Sequence, residues 1–212
     1  MTNQPEKQTR PKLHPPQAAA IAGIVFALLL SASLVLLRLA SPNESGVWTA
    51  GRAWSLGLNL VPFSGLAFLW FLGVLRDRIG EDEDRFFTTI SIGSGLLFLA
   101  MLFTAAAVAS GLATSAGTVS PALIAFGRQI ASTILNVYAM RMAAMCMFST
   151  STIFLRTTVL PAWLAYTGYA FAAAQLIMLT HWEWIMLLFP LWVLLLSSVI
   201  LVSNRRASSR RD

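Results

Sequence analysis

Nine acidic side chains, two histidines and one cysteine are all that 212 residues offer for acid–base, metal or redox chemistry. The one cysteine, Cys146, can form neither an internal disulfide nor a CxxC pair, which excludes a thiol oxidoreductase. The histidines are His14, near the start, and His181, between two apolar runs, so neither a bis-histidine haem nor an HExxH zinc site can be assembled inside a bundle. No Asp or Glu lies within a long apolar run, and carboxylates are the usual carriers in membrane proton relays and cation sites. Proton- or sodium-coupled transport and a cation channel both lose ground for that reason. Ile92-Gly93-Ser94-Gly95 carries the serine of an intramembrane-protease motif. Ile replaces the leading glycine, however, and no run holds a histidine to act as base, so this serine reads as a helix-packing residue.

Charge is equally scarce, at 11% of residues against 57% hydrophobic, where a soluble domain carries about 25% charged residues. The apolar residues fall into six unbroken runs, 18–37, 54–75, 86–109, 129–155, 160–179 and 184–202. Each approximates the ~20 residues that cross a bilayer as a helix. Only helices and closed barrels satisfy their backbone inside hydrocarbon, and these runs are continuous rather than alternating. The expected fold is therefore all-α, a polytopic transmembrane helix bundle of six spans over 18–203. Residues 1–17 are expected as a disordered basic tail rich in proline, and 204–212 as a second basic tail. The first run is too long for a signal-peptide core and reads as an uncleaved signal-anchor helix.

Basic residues set the expected orientation. Eleven of the fifteen lie on one side: Lys7, Arg10, Lys12, Arg76, Arg78, Arg85, Arg156, Arg205, Arg206, Arg210 and Arg211. Arg38 and Arg52 lie on the other side, and Arg128 and Arg141 belong to the fourth helix. The positive-inside rule then makes both termini cytoplasmic. The net charge of +6 is accounted for by topology and by attraction to anionic headgroups, without a nucleic-acid partner.

Other features have structural readings. Gly23, Ala27 and Ser31, then Ser91 and Gly95, then Gly168 and Ala172 place small residues at four-residue spacing, which suits close helix contacts within the chain or, less economically, homo-oligomer contacts. Pro62 and Pro190 predict kinks, with Asn59 placed to satisfy backbone freed by the first. The acids at 81–84 suit a helix N-terminus, with divalent-cation binding as the minority reading. No metal or other cofactor is expected.

The fourth run is the place to look for function. Gln129, Ser132 and Asn136, with Thr133, form a polar stripe, and Arg128 precedes it. Arg141 lies round the axis from Asn136, beside Tyr138 and Met145. A span from Arg128 to Arg156 puts Arg141 near mid-membrane, whereas a span ending at Met140 puts it at the inner surface. An intramembrane arginine is costly and needs a partner. With no acid available, that partner is a lipid phosphate or anionic ligand, or else Arg141 snorkels or caps carbonyls. The candidate contacts are Arg141, Tyr138, Asn136, Gln129, Ser132 and Arg128.

Two stretches, 60–89 (LVPFSGLAFLWFLGVLRDRIGEDEDRFFTT) and 156–169 (RTTVLPAWLAYTGY), resemble an uncharacterised family of small bacterial multi-pass integral membrane proteins. The resemblance implies six helices and a bacterial inner (plasma) membrane, and it carries over no activity and no site residues. The leading expectation is a non-catalytic integral membrane protein that binds lipid, including anionic lipid, or a partner membrane protein. The alternative is a carrier or channel for a small anionic or neutral solute, and an enzyme ranks third. A polar cavity running from the stripe toward Arg141 would favour the carrier, and a sealed bundle the binding role.

Overall fold

The computed structural model describes residues 15–40, 51–79, 85–115, 117–157, 160–178 and 183–208, and among these it is all-helical. The helices are α1 (Pro15–Leu39), α2 (Arg52–Ile79), α3 (Arg85–Thr114), α4 (Pro121–Thr133), α5 (Met140–Thr157), α6 (Ala162–Met178) and α7 (Leu188–Ser208). A π-helical turn, Ile134–Ala139, fuses α4 to α5, and a 3-10 turn, Glu183–Leu187, leads into α7. Five helical stretches are long and apolar enough to cross a membrane: Ala20–Leu39, Arg52–Gly73, Phe86–Thr114, Pro121–Thr157 and Trp184–Ser203. The run expected at 160–179 forms a helix of 17 residues, about 25 Å long. That is slightly less than the ~30 Å of a hydrocarbon core.

Several boundaries differ from the expectation, each for a local reason. Helix α1 starts at Pro15, inside the stretch expected as tail. Its first two residues are prolines, whose missing N–H groups cost nothing in a first turn. Helix α7 runs on to Ser208 because neither Gly nor Pro follows Val202 to stop it. The fourth run begins at Pro121 rather than near Gln129. Ser120 caps it with extended backbone (φ −64°, ψ 148°), its Oγ accepting from the Leu123 N–H at 3.4 Å, and Pro121 takes the first helical position. Just before the cap, Gly117 has φ +91°, a conformation that glycine adopts at little cost. Pro190 does not kink a long helix. It occupies the first turn of α7, where the 3-10 turn has already ended. Pro62 lies within α2, which is helical through it, and Asn59 is exposed.

The bundle is antiparallel. Ser33 opposes Gly57 and Gly23 opposes Phe71 across α1 and α2. Gly65 opposes Leu99 and Phe103 across α2 and α3, Gly127 opposes Leu112 across α3 and α4, and Ser91 opposes Thr150 across α3 and α5. Helix α1 runs along α2 and α7, α3 along α5 and α2, and α5 along α6. One end therefore carries Pro15 and Ser208, the terminal end; the other carries the α1–α2 and α3–α4 connections, the loop end.

Small residues form the seams within the chain. A Cβ on Gly23 would collide with Ser197 Oγ and Phe71, one on Gly168 with Ser151 Oγ and Trp192, and one on Gly95 would press on Leu72 at 3.0 Å. In lipid such close approach takes over from the hydrophobic effect as the source of helix association. At the middle of the bundle Phe26, Phe68, Phe98 and Phe189 are fully buried and interlock, with ring centroids 4.6 Å apart for Phe26–Phe68 and 4.8 Å for Phe98–Phe189. Phe68 meets Phe98 and Phe189 edge-on at 5.6 and 5.7 Å, and each such pair contributes about 0.5–1.5 kcal/mol beyond area burial. These rings form a solid aromatic layer.

Candidate functional site: a cavity at the loop end

Helix α4 packs on α3 and on its own π turn, and among the described residues it has no extended contact with α1, α2 or α7. The gap left on that side is a cavity of about 590 Å³. Its wall on one side is Ser33, Leu34, Leu37 and Arg38 of α1 with Trp54, Leu58 and Val61 of α2. Helix α3 forms the back through Leu102, Ala105, Ala106, Ala109 and Leu112, and Met186 closes one corner. The α4 side presents Arg128, Gln129 and Ser132, followed by Leu135 and Asn136 of the π turn.

The antiparallel register orders these residues by depth. Arg38, Trp54, Leu112 and Arg128 share a level near the loop end, since Gly57 opposes Leu37 and Gly127 opposes Leu112. Ser33, Leu58, Ala109 and Ser132 come about a turn deeper. Val61, Leu102 and Asn136 form the floor. Phe26, Phe68, Phe98 and Phe189 are buried deeper in the bundle, and none of them lines the cavity. Its volume lies within the ~300–1,000 Å³ range of small-molecule sites.

Four of the six sequence-predicted contacts converge on this cavity: Arg128, Gln129, Ser132 and Asn136. Asn136 Nδ2 donates to Ser132 Oγ at 3.0 Å, one turn back, which fixes both along the stripe. Arg128 is half-buried and has no hydrogen-bond or ion-pair partner among the described residues.

Arg141 and Tyr138 are elsewhere. Both are exposed on the outer face of the bundle, with Met145 beside them, and neither lines the cavity. Arg141 donates from Nη1 to the Val137 carbonyl at 3.4 Å, a long hydrogen bond to its own helix. The stretch Pro121–Thr157 is helical throughout, and the register sets Arg141 level with Phe98 and Leu99. It therefore stands at mid-bundle, outside it, and caps a carbonyl of the π turn.

The π turn lies between most of the stripe and Arg141. The Met140 N–H reaches back to Leu135 O, five residues instead of four. Five residues of regular helix already set Arg141 about 140° round the axis from Asn136, so the stripe faces the cavity while Arg141 faces outward.

Sequence reasoning missed a set of buried polar groups. Gln175 is fully buried on α6, its Nε2 donates to Met140 Sδ at 3.0 Å, and its Oε1 is unpaired among the described residues. Ser91 Oγ pairs with Thr150 Oγ1 at 2.7 Å, and Thr152 Oγ1 with Tyr169 OH at 2.8 Å. Ser151 Oγ and Trp192 Nε1 meet over Gly168 without hydrogen-bonding. Gln175 was visible as a lone amide in an apolar run; the hydroxyls were not distinguishable from packing residues. Ser94 bonds its own helix at Ile90 O, 2.7 Å away, as a packing serine does.

No cluster of three or more potential metal ligands occurs among the described residues, and the acids at 81–84 lie outside them. Residues 1–14 of the expected tail and both histidines also lie outside. Comparison with protein-family models, curated proteins and solved structures finds no match to this chain.

Proposed function

We propose that the protein is a non-catalytic integral membrane protein that holds a lipid or similar amphiphile in its loop-end cavity. The observation that carries this reading is a cavity with a polar stripe on the α4 wall and mostly apolar side chains, Leu34, Leu37, Leu58 and Val61, beside Arg38 and Ser33 on the α1 and α2 wall. Such a surface suits a molecule that is itself polar on one side and apolar on the other. Among the described residues the lining offers guanidinium, amide and hydroxyl groups, and no carboxylate, imidazole or thiol to serve as acid, base or nucleophile.

The topology belongs to the same proposal. Six spans, with the 17-residue α6 as the fifth, agree with the even number that the basic residues require. Both termini are then cytoplasmic, the loop end faces outward, and the membrane is a bacterial inner membrane. The cavity thus opens in the outer half of the bilayer.

A carrier for a small anionic or neutral solute is the second reading, favoured by the polar stripe lining a real cavity. Passage, however, would have to part the four interlocked phenylalanines, and Arg141 stands exposed on the outer face, off the cavity. Binding is the more economical use of the site.

The test is lipid retention. Protein purified gently from its own membranes and examined by native mass spectrometry is expected to carry a lipid-sized adduct. Ala109→Trp, which fills the cavity from α3, is expected to remove the adduct with the fold intact. An adduct that survives this substitution unchanged defeats the reading.

A further inference from the structure

If the cavity is a ligand site, a reading on which this inference rests, its lining also specifies the chemistry of the ligand's polar end. Two guanidiniums, Arg38 and Arg128, line the cavity at one level near the loop end, and among the described residues no carboxylate lines it. Arg128 in particular is half-withdrawn from water without a partner among the described residues. A partly desolvated cation is costly and is relieved by an anion. The planar fork of arginine matches an oxyanion, and the neighbouring Gln129 adds an amide donor on the same side.

Geometry selects among oxyanions. The two oxygens of a carboxylate are coplanar, and one guanidinium fork takes the lone pairs that face it, which leaves only in-plane positions for further donors. A phosphate spreads its oxygens tetrahedrally, so guanidiniums approaching from α1 and from α4 can each be served, with an oxygen left for an amide. Leu34, Leu37 and Leu58 on the facing wall offer hydrocarbon beside this position. At ~30 Å³ per water, 590 Å³ holds about twenty waters' worth of ligand, enough for a phosphate with its polar substituent and the first part of a chain.

We infer that the cavity binds a phosphate-class oxyanion, held by Arg128 with Arg38 as second cation, its attached chain lying along the leucine wall of α1 and α2. The same oxyanion chemistry comes from a phospholipid headgroup or from free phosphate. The apolar wall favours the lipid.

The experiment uses the full chain in nanodiscs of dioleoylphosphatidylcholine with a minor fraction of dioleoylphosphatidylglycerol, with retained lipid read by native mass spectrometry. The wild type is expected to retain phosphatidylglycerol over phosphatidylcholine by about tenfold or more, the scale of one charge-assisted contact. Arg128→Gln should bring the ratio close to one, Arg128→Lys should keep part of it, and Arg141→Gln, off the cavity, should leave it unchanged. Thermal melting of each variant separates loss of the site from loss of the fold. Inorganic phosphate distinguishes the source: failure to displace the glycerolipid supports a lipid ligand, and full displacement with a gain in melting temperature supports a free oxyanion. Equal retention of both lipids with no response to phosphate, while Ala109→Trp still strips lipid, overturns the oxyanion inference and leaves the cavity reading standing. Retention indifferent to Ala109→Trp removes the cavity reading, and this inference with it.

Discussion

Arg141 stands apart from the cavity, exposed and bonded to its own helix. Its guanidinium reaches one carbonyl of its own helix from the outer face, so it neither anchors α5 to a neighbour nor enters the cavity. Arginine at the centre of a spanning helix costs about 2.5–3.5 kcal/mol on insertion scales. Arg141→Leu is therefore expected to insert at least as well as wild type, to change folded stability by less than about 1 kcal/mol, since it removes one long hydrogen bond, and to leave bound lipid unchanged. Insertion assays, thermal melts and native mass spectrometry check these in turn, and loss of a bound species would return Arg141 to the site. The sequence made Arg141 conspicuous because charge in an apolar run is conspicuous. It could not tell inward from outward, since the face of this helix that meets the bundle is set by packing against helices remote in sequence. Arg128, named beside it as a candidate contact, does line the cavity, with Arg38.

Among the elements, the seams at glycine decide how near two helices come, and glycines differ sharply in what surrounds them. Gly168 has Ser151 and Trp192 against it, while Gly93 has open space where a Cβ would go. Gly168→Ala is expected to destabilise by about 1–3 kcal/mol through overpacking of α5, α6 and α7. Gly93→Ala is expected to be neutral or to stabilise by about 0.5–1 kcal/mol, because the helix gains a better helix former at no steric cost. Thermal melts of the two variants in one detergent test the contrast, and an equal effect would undo the assignment of Gly168 to a seam. Four-residue spacing of small side chains made these seams legible in the sequence. The start of α4 was legible in principle from Ser120-Pro121, a cap followed by a first-turn proline, yet its weaker apolarity hid it behind the longer run beyond.

For the molecule as a whole, apolar runs carry the class, and basic clusters set the expected direction. Cysteines introduced at Ser45, Ser115 and His181 in a Cys146→Ser background are expected to react with an impermeant thiol reagent applied to intact cells. Cysteines at Thr9, Glu83 and Ser208 are expected to be protected, and labelling of position 83 from outside would reverse the topology. Helix class was readable because period and length are local properties. The cavity was not, because it exists where α4 fails to reach α1, α2 and α7, a relation among helices remote in sequence. Only its polar stripe left a trace, as 129, 132 and 136 on one helical face.

Helix α4 is held from one side and joined to α5 through a π turn, and this has a kinetic consequence. Local opening is easiest where few buried contacts are lost, so α4 is the element expected to open first, hinging at Ile134–Ala139. Its amides are expected to exchange hydrogen for deuterium faster than those of α1 and α5 in the empty protein, and to slow when the cavity is filled. Equal protection of α4 and α1 would contradict this. Residence time in the cavity then depends on how often α4 swings aside, so a change at the π turn can lengthen or shorten occupancy without touching any group that contacts the occupant.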